Sequence, residues 1–139
     1  MKISAAVRST SSRHEVLVST GGSEQALAVP AMASGQGSNV NGGEFLMLAL
    51  ATCYCNDLYR EAARLGIPVE SVEVEASAEF PGIGLAATDI AYRAKVSSPA
   101  APARIAELLD VTDAVAEVHN TIRAGVPVTW LSAAAHVEP

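Results

Sequence analysis

Cys53 and Cys55 are the only two thiols of the chain. A thiol at neutral pH is a weak nucleophile. Its thiolate attacks peroxides, disulfides and activated carbonyls, so a reactive cysteine needs a neighbour that favours the charged form. A C-x-C pair alone is a poor zinc site, because no second pair of ligands stands at suitable spacing. No metal or cofactor is expected. On a helix the two side chains point about 200° apart and cannot readily form a disulfide. The two thiols therefore have different expected fates. Cys53 reads either as a small hydrophobe of the core or as a nucleophile; Cys55 reads as packing. Asp57 follows Cys53 by one helical turn and could line the same cavity, or it simply pairs with Arg60 at i, i+3. Glu44 reads as a first-turn carboxylate favoured by the helix dipole. His14 and His136 lie near the termini without ligand-like neighbours and carry no expected role.

The composition limits what these groups can serve. The chain has 139 residues, enough for one domain (1–139) with its own core. Half the residues are apolar but only 4% are aromatic, so the core is built from Ala, Val, Leu and Ile. The formal charge is -6. With no basic run to meet a phosphate backbone, nucleic acid is not an expected partner. The apolar run Phe45 to Cys55 falls well short of the roughly 20 residues that cross a bilayer, and the N-terminus has no leader pattern. No membrane partner is expected, and a cytoplasmic protein is.

Nine elements must position the side chains. Lys2 to Val7, Glu15 to Ser19 and Gln25 to Val29 are short β-compatible runs, with a turn at Thr20-Gly21-Gly22-Ser23. Residues 31–42 form a Gly-rich loop. Asn41 and Glu44 have capping-box spacing ahead of one long helix, Gly43 to about Leu65, stopped by Gly66 and Pro68. Its first half is apolar on nearly every face, which predicts burial all round. Val69 to Phe80 alternates, with Val72, Val74, Ala76 and Ala78 on one face and Glu73, Glu75 and Glu79 on a solvated one. Asp89 to Ser97 continues that pattern. Helices are expected from Pro102 to about Leu109 and from Thr112 to Ala124, and a last strand from Val126 to Val137. The order βββ-α-ββ-αα-β, strands around a buried helix, is that of an α+β domain.

On these elements the residues 41–55, NGGEFLMLALATCYC, resemble the first cysteine motif of the OsmC/Ohr family. That motif is an Asn-Pro-Glu-(Glu/Gln)-Leu helix start, an apolar helix, and Ala-Ala/Thr-Cys. Cys53 falls on the family's reactive cysteine, and the element order matches over the whole chain. The stretch 116–125, AEVHNTIRAG, is similar to the second motif, Cys-Pro-(Val/Tyr)-Ser followed by Asn and Arg-Gly. Asn120 and Arg123 fit the frame. Ala116 then stands at the second cysteine and His119 at the serine. The helix-start Glu of the family falls on Gly43, and its catalytic Arg on Ser23.

The resemblance implies an OsmC-like fold, an intertwined homodimer and a site at the dimer interface. It does not carry over the two-cysteine cycle, in which a second thiol traps the sulfenic acid as a disulfide. What it implies instead is a divergent, one-cysteine thiol enzyme. Cys53 is then the nucleophile and His119, one turn past Ala116, its activator. Glu44, Asp57 and Ala116 belong to the pocket or its surroundings. Leu46, Leu50 and Val115 make the pocket apolar, suited to an organic hydroperoxide or another small apolar electrophile. The alternative is a non-catalytic module that holds a small apolar ligand, with Cys53 merely lining the pocket and His119 bonding a nearby backbone.

Overall fold

The computed structural model describes residues 1–131 of the chain. The elements are β1 (Ile3–Ser9), β2 (His14–Thr20), β3 (Ser23–Leu27), α1 (Gly42–Leu65), β4 (Ser71–Glu79), β5 (Thr88–Ser97), α2 (Pro102–Val115) and α3 (Glu117–Ala124). The expected α+β order is found through α3. The chain divides into two compact units: Met1–Leu48 with Glu79–Thr88, and Ala49–Ala78 with the chain from Asp89 onward.

The first unit holds an antiparallel sheet of order β1-β2-β3. Val7 pairs with Val16, and Val16 with Leu27. Gly21 and Gly22 both take positive φ between the closing pair Thr20 and Ser23, the geometry of a two-residue hairpin turn. Of the three strands only Val16 is buried in the single chain. The start of α1 lies in the same unit. Asn41 Oδ1 accepts from the Glu44 N–H at 2.8 Å, and Glu44 Oε1 accepts from the Asn41 N–H at 3.0 Å. This is the capping box read from the sequence. Gly43 has a steric reason: a Cβ there would lie 3.1 Å from the Phe80 ring.

The second unit packs the rest of α1 with α2, α3 and the β4-β5 sheet. Its core is Tyr54, Leu58, Ala62, Ile67 and Leu108, with Val72, Val74, Tyr92, Ala94 and Val96 from the strands against it. The buried positions of α1 are Leu50, Tyr54, Asp57, Leu58, Glu61 and Ala62, one stripe at i, i+3 and i, i+4 spacing. The expectation of all-round burial is corrected here. The more apolar first half is the less buried half, with Leu48 57% exposed in the single chain. α1 ends in a Schellman motif. Gly66 takes φ +69°, Ile67 N–H reaches Ala62 O at 2.9 Å, and Arg104 donates to Leu65 O at 2.8 Å.

Two further expectations change. The expected gap after Leu109 is filled, because α2 runs on to Val115, and the break falls at Ala116 (φ -70°, ψ 105°). Neither Gly nor Pro stands there. Asn120 Nδ2 donates to the freed Ala114 carbonyl at 3.0 Å, so side-chain bonds hold the break. The strand expected from Val126 to Val137 is not formed over residues 126–131. Pro127 has no N–H to donate, and Val128 and Trp130 are almost fully exposed. The remainder, with His136, lies outside the described residues. No helix among the described residues is long and apolar enough to cross a membrane.

Candidate active site

Cys53 lies on α1 beside the buried stripe and is half-buried. Helical spacing places Asp57 one turn on, and the break at Ala116 swings the start of α3 against the same spot. Cys53 Sγ lies 3.6 Å from Asp57 Oδ2 and 3.6 Å from Glu117 Oε2, so its S–H donates to either carboxylate. The Val118 backbone N–H at the start of α3 also faces the sulfur. Ala116, the position of the family's second cysteine, is fully buried immediately before Glu117. Cys55 is half-buried and free, with no bond to Cys53.

Arg60 ties the carboxylates together. Its Nη1 donates to Asp57 Oδ1 at 3.0 Å and lies 3.7 Å from Glu117 Oε1; its Nε lies 3.6 Å from Glu61 Oε2. The expected Asp57–Arg60 pair is therefore formed, as part of a larger cluster. Burial, together with a hydrogen bond to Glu117, pushes the Asp57 carboxyl above its ordinary range. Glu117 is held below its own range, first by its backbone N–H and then by Asp57. Of the two, Asp57 is the one whose surroundings favour the protonated form. Cys53 is pushed up by burial and then by the two carboxylates, against the pull of the Val118 N–H. Glu44 caps α1 in the first unit, and Ser23 is the exposed first residue of β3.

The Cys53 sulfur and one oxygen each from Asp57 and Glu117 lie within 4.8 Å of one another, close enough to ligate one cation. The carboxylates already share the Arg60 guanidinium, however, and the thiol keeps its proton. Thiol, carboxylates and guanidinium form one hydrogen-bonded and ion-paired cluster.

His119 is buried, at 3% exposure. Its ring centroid lies 4.5 Å from that of Tyr92 and 6.1 Å from that of Tyr54, both tilted or edge-on. Among the described residues neither ring nitrogen has a hydrogen-bond partner, so it is not bonded to Cys53. Burial, and then Arg123, hold the imidazole below its ordinary value, with Asp113 opposing. Leu50, Ile90, Tyr92, His119, Ile122 and Arg123 line a cavity of about 110 Å³. Of the apolar residues expected in a pocket, Leu50 is present; Leu46 and Val115 are not among the lining. Arg123 Nη2 donates to Asp113 at 2.7 Å, the Tyr92 hydroxyl donates to the same carboxylate, and the Tyr54 hydroxyl donates to Leu109 O at 2.8 Å.

The sequence reading missed Glu117, Tyr92 and Asp113. The adjacency of Glu117 to Ala116 was a usable signal. Tyr92 lies within the alternating run Asp89 to Ser97 without further mark, and Asp113 showed nothing.

The chain matches the family model described as OsmC-like protein over residues 35–131. No curated protein matches it in sequence. Solved structures similar to it include an OsmC-like protein from Mycoplasma pneumoniae, at 17% identity and TM-score 0.62, covering 88% of this chain and 86% of that one. Another is an organic hydroperoxide resistance protein from Legionella pneumophila, at 18% and 0.60, covering 88% and 90%. A third is the organic hydroperoxide resistance protein OhrB of Bacillus subtilis, at 16% and 0.54, covering 88% and 91%. At these identities the neighbours establish the fold, and the match across most of the sequence establishes the family: the chain belongs to the OsmC-like proteins.

Proposed function

We propose that Cys53 carries a one-cysteine, thiol-dependent reduction of organic hydroperoxides or related small apolar electrophiles. The supporting observation is the setting of its sulfur, half-buried and 3.6 Å from each of two carboxylates, of which Asp57 is held above its ordinary range and Glu117 below it. In the proposed step Glu117 takes the thiol proton, and Sγ attacks the distal peroxide oxygen. The O–O bond breaks, and the leaving alkoxide receives a proton from the carboxylate pair. The products are a sulfenic acid and an alcohol; the proton taken from the thiol is the one passed to the alkoxide, so the carboxylates end as they began. With Ala116 at the second-cysteine position, two external thiols complete the cycle, releasing water and their own disulfide. Mass mapping after one equivalent of an organic hydroperoxide tests this. Cys53 should gain a single oxygen while Cys55 stays reduced. An unmodified Cys53 alongside unconsumed hydroperoxide sinks the reading.

A second reading has its own support. The carboxylates raise the cost of the thiolate, which suits a chain that binds a small apolar molecule without reacting. The oxidation experiment separates the two.

We further propose that the working form is a homodimer. Ile3, Val7, Leu48, Phe80, Ile83 and Leu85 are all exposed in the single chain, apolar side chains that a second copy would cover. Light scattering at micromolar concentration should give twice the chain mass; a monomer there refutes it.

A further inference from the structure

Buried polar groups almost always find a partner, and one that does not has usually been left for a ligand or a water. His119 is such a group: 3% exposed, with both ring nitrogens unpartnered among the described residues. It lies in the wall of the cavity of about 110 Å³, and the other lining side chains are either apolar or bonded to residues outside the cavity. Leu50, Ile90 and Ile122 offer only carbon. The Tyr92 hydroxyl is given to Asp113, and the Arg123 guanidinium to Asp113 and Asn120. Among the described residues, the imidazole is the polar lining group that makes no hydrogen bond at all.

We infer that this cavity binds a small uncharged molecule carrying one hydroxyl, which exchanges a hydrogen bond with His119 while an apolar body fills the space between Leu50, Ile90 and Ile122. An imidazole with one N–H and one bare nitrogen can serve a group that both donates and accepts, and a hydroxyl does both. A carboxylate or phosphate fits poorly. Arg123 is already neutralised by Asp113, and burial disfavours the imidazolium that would pair with an anion. The volume limits the body to about six non-hydrogen atoms, the scale of a benzene-sized ligand in an apolar cavity. The inference does not rest on the thiol reading, because Cys53 is not in the lining.

Phenol and toluene, equal in shape and differing in the hydroxyl, are the probes. Titration of the full-length protein, followed by calorimetry and by the ring nitrogen resonances of His119, should show saturable phenol binding that shifts those resonances. Phenol should bind about tenfold or more tightly than toluene, because a hydroxyl-less ligand leaves the imidazole unpaired. In His119→Phe the preference should fall to about one. Ile122→Phe, which fills the cavity and leaves His119 in place, should lose both ligands. Cys53→Ser should bind phenol as the native chain does, which keeps this result separate from the fate of the thiol chemistry. Equal binding of the two probes, a preference that survives His119→Phe, or no saturable binding with unchanged His119 resonances (the result if water alone satisfies the ring) overturns the inference. The resonance shift is read on the native chain, so the test stands even where a variant does not fold.

Discussion

Glu117→Gln keeps the shape of the side chain and removes one charge from beside Cys53. The carboxylate lies 3.6 Å from Sγ, and the Glu117 side chain is 68% exposed. In a water-like dielectric, two charges at that separation repel by about 1 kcal/mol. The low end applies, because solvent and the Arg60 guanidinium 3.7 Å away both screen the pair. The sign follows from the direction of the shift: Glu117 helps hold the thiol up, so its neutralisation lets the thiol ionise more easily. About 1 kcal/mol is about a fivefold rise in thiolate fraction near neutral pH. Intrinsic nucleophilicity falls as a thiol becomes more acidic, which trims the gain in alkylation rate to about two- or threefold. Iodoacetamide labelling with peptide mapping reads this directly, with Cys55 as the internal reference. The reaction with hydroperoxide should move the other way. Alkylation needs no proton for its leaving iodide, whereas the alkoxide does, and Glu117→Gln has lost the group that relays it. Cys53 should therefore alkylate faster and reduce hydroperoxide more slowly. If both rates fall together, or neither moves, the carboxylates are bystanders and the acid–base mechanism is wrong.

Ala116→Cys returns a sulfur to the start of α3, next to the residue that touches Cys53 Sγ. Hydroperoxide should then give a disulfide between Cys53 and the introduced thiol, seen as a loss of two hydrogens in the intact mass; a persistent sulfenic acid at Cys53 counts against that placement. The pH profile of stability carries the signature of His119, whose folded value lies below its ordinary 6.5. Above that value the ring is neutral in both states. As pH falls below it the unfolded chain takes up a proton that the folded chain refuses, so stability drops, by up to about 1.4 kcal/mol per pH unit. Denaturant melts at stepped pH should show a shallower slope for His119→Phe, and identical slopes refute the buried neutral ring. Gly66→Ala forces a side chain into φ +69° and should cost about 1 to 2 kcal/mol, read as a lowered Tm; an unchanged Tm means the end of α1 is formed differently.

The elements were largely legible because local rules govern them. Asn41 and Glu44 formed the expected box, Gly66 ended α1, and the alternation from Val72 to Ala78 matched the half-buried face of β4. Burial of the first half of α1 was not legible. Periodicity reports how apolar a face is; what covers the face depends on which other surface arrives. The site was half legible. Cys53 and Asp57 share one helix, and one turn of spacing is enough to join them. Glu117 and Tyr92 reach their partners across long stretches of sequence, and no single-element pattern encodes that.

The break at Ala116 shows how the missed part and the chemistry depend on each other. Its local sequence, with no Gly or Pro, favours a continuous helix. In a straight helix Glu117 and Val118 would continue the line of α2. The break is kept open by polar bonds that straddle it: Asn120 to the Ala114 carbonyl, and Arg123 to Asp113, which also receives the Tyr92 hydroxyl. Those bonds set the direction of the first turn of α3, which carries Glu117 to the sulfur. Asn120 and Arg123 are the residues of 116–125 that fit the family frame although its cysteine and serine are replaced. A role in setting backbone direction explains that: the thiol's surroundings can change one side chain at a time, but the turn that presents a helix start to Cys53 depends on these two.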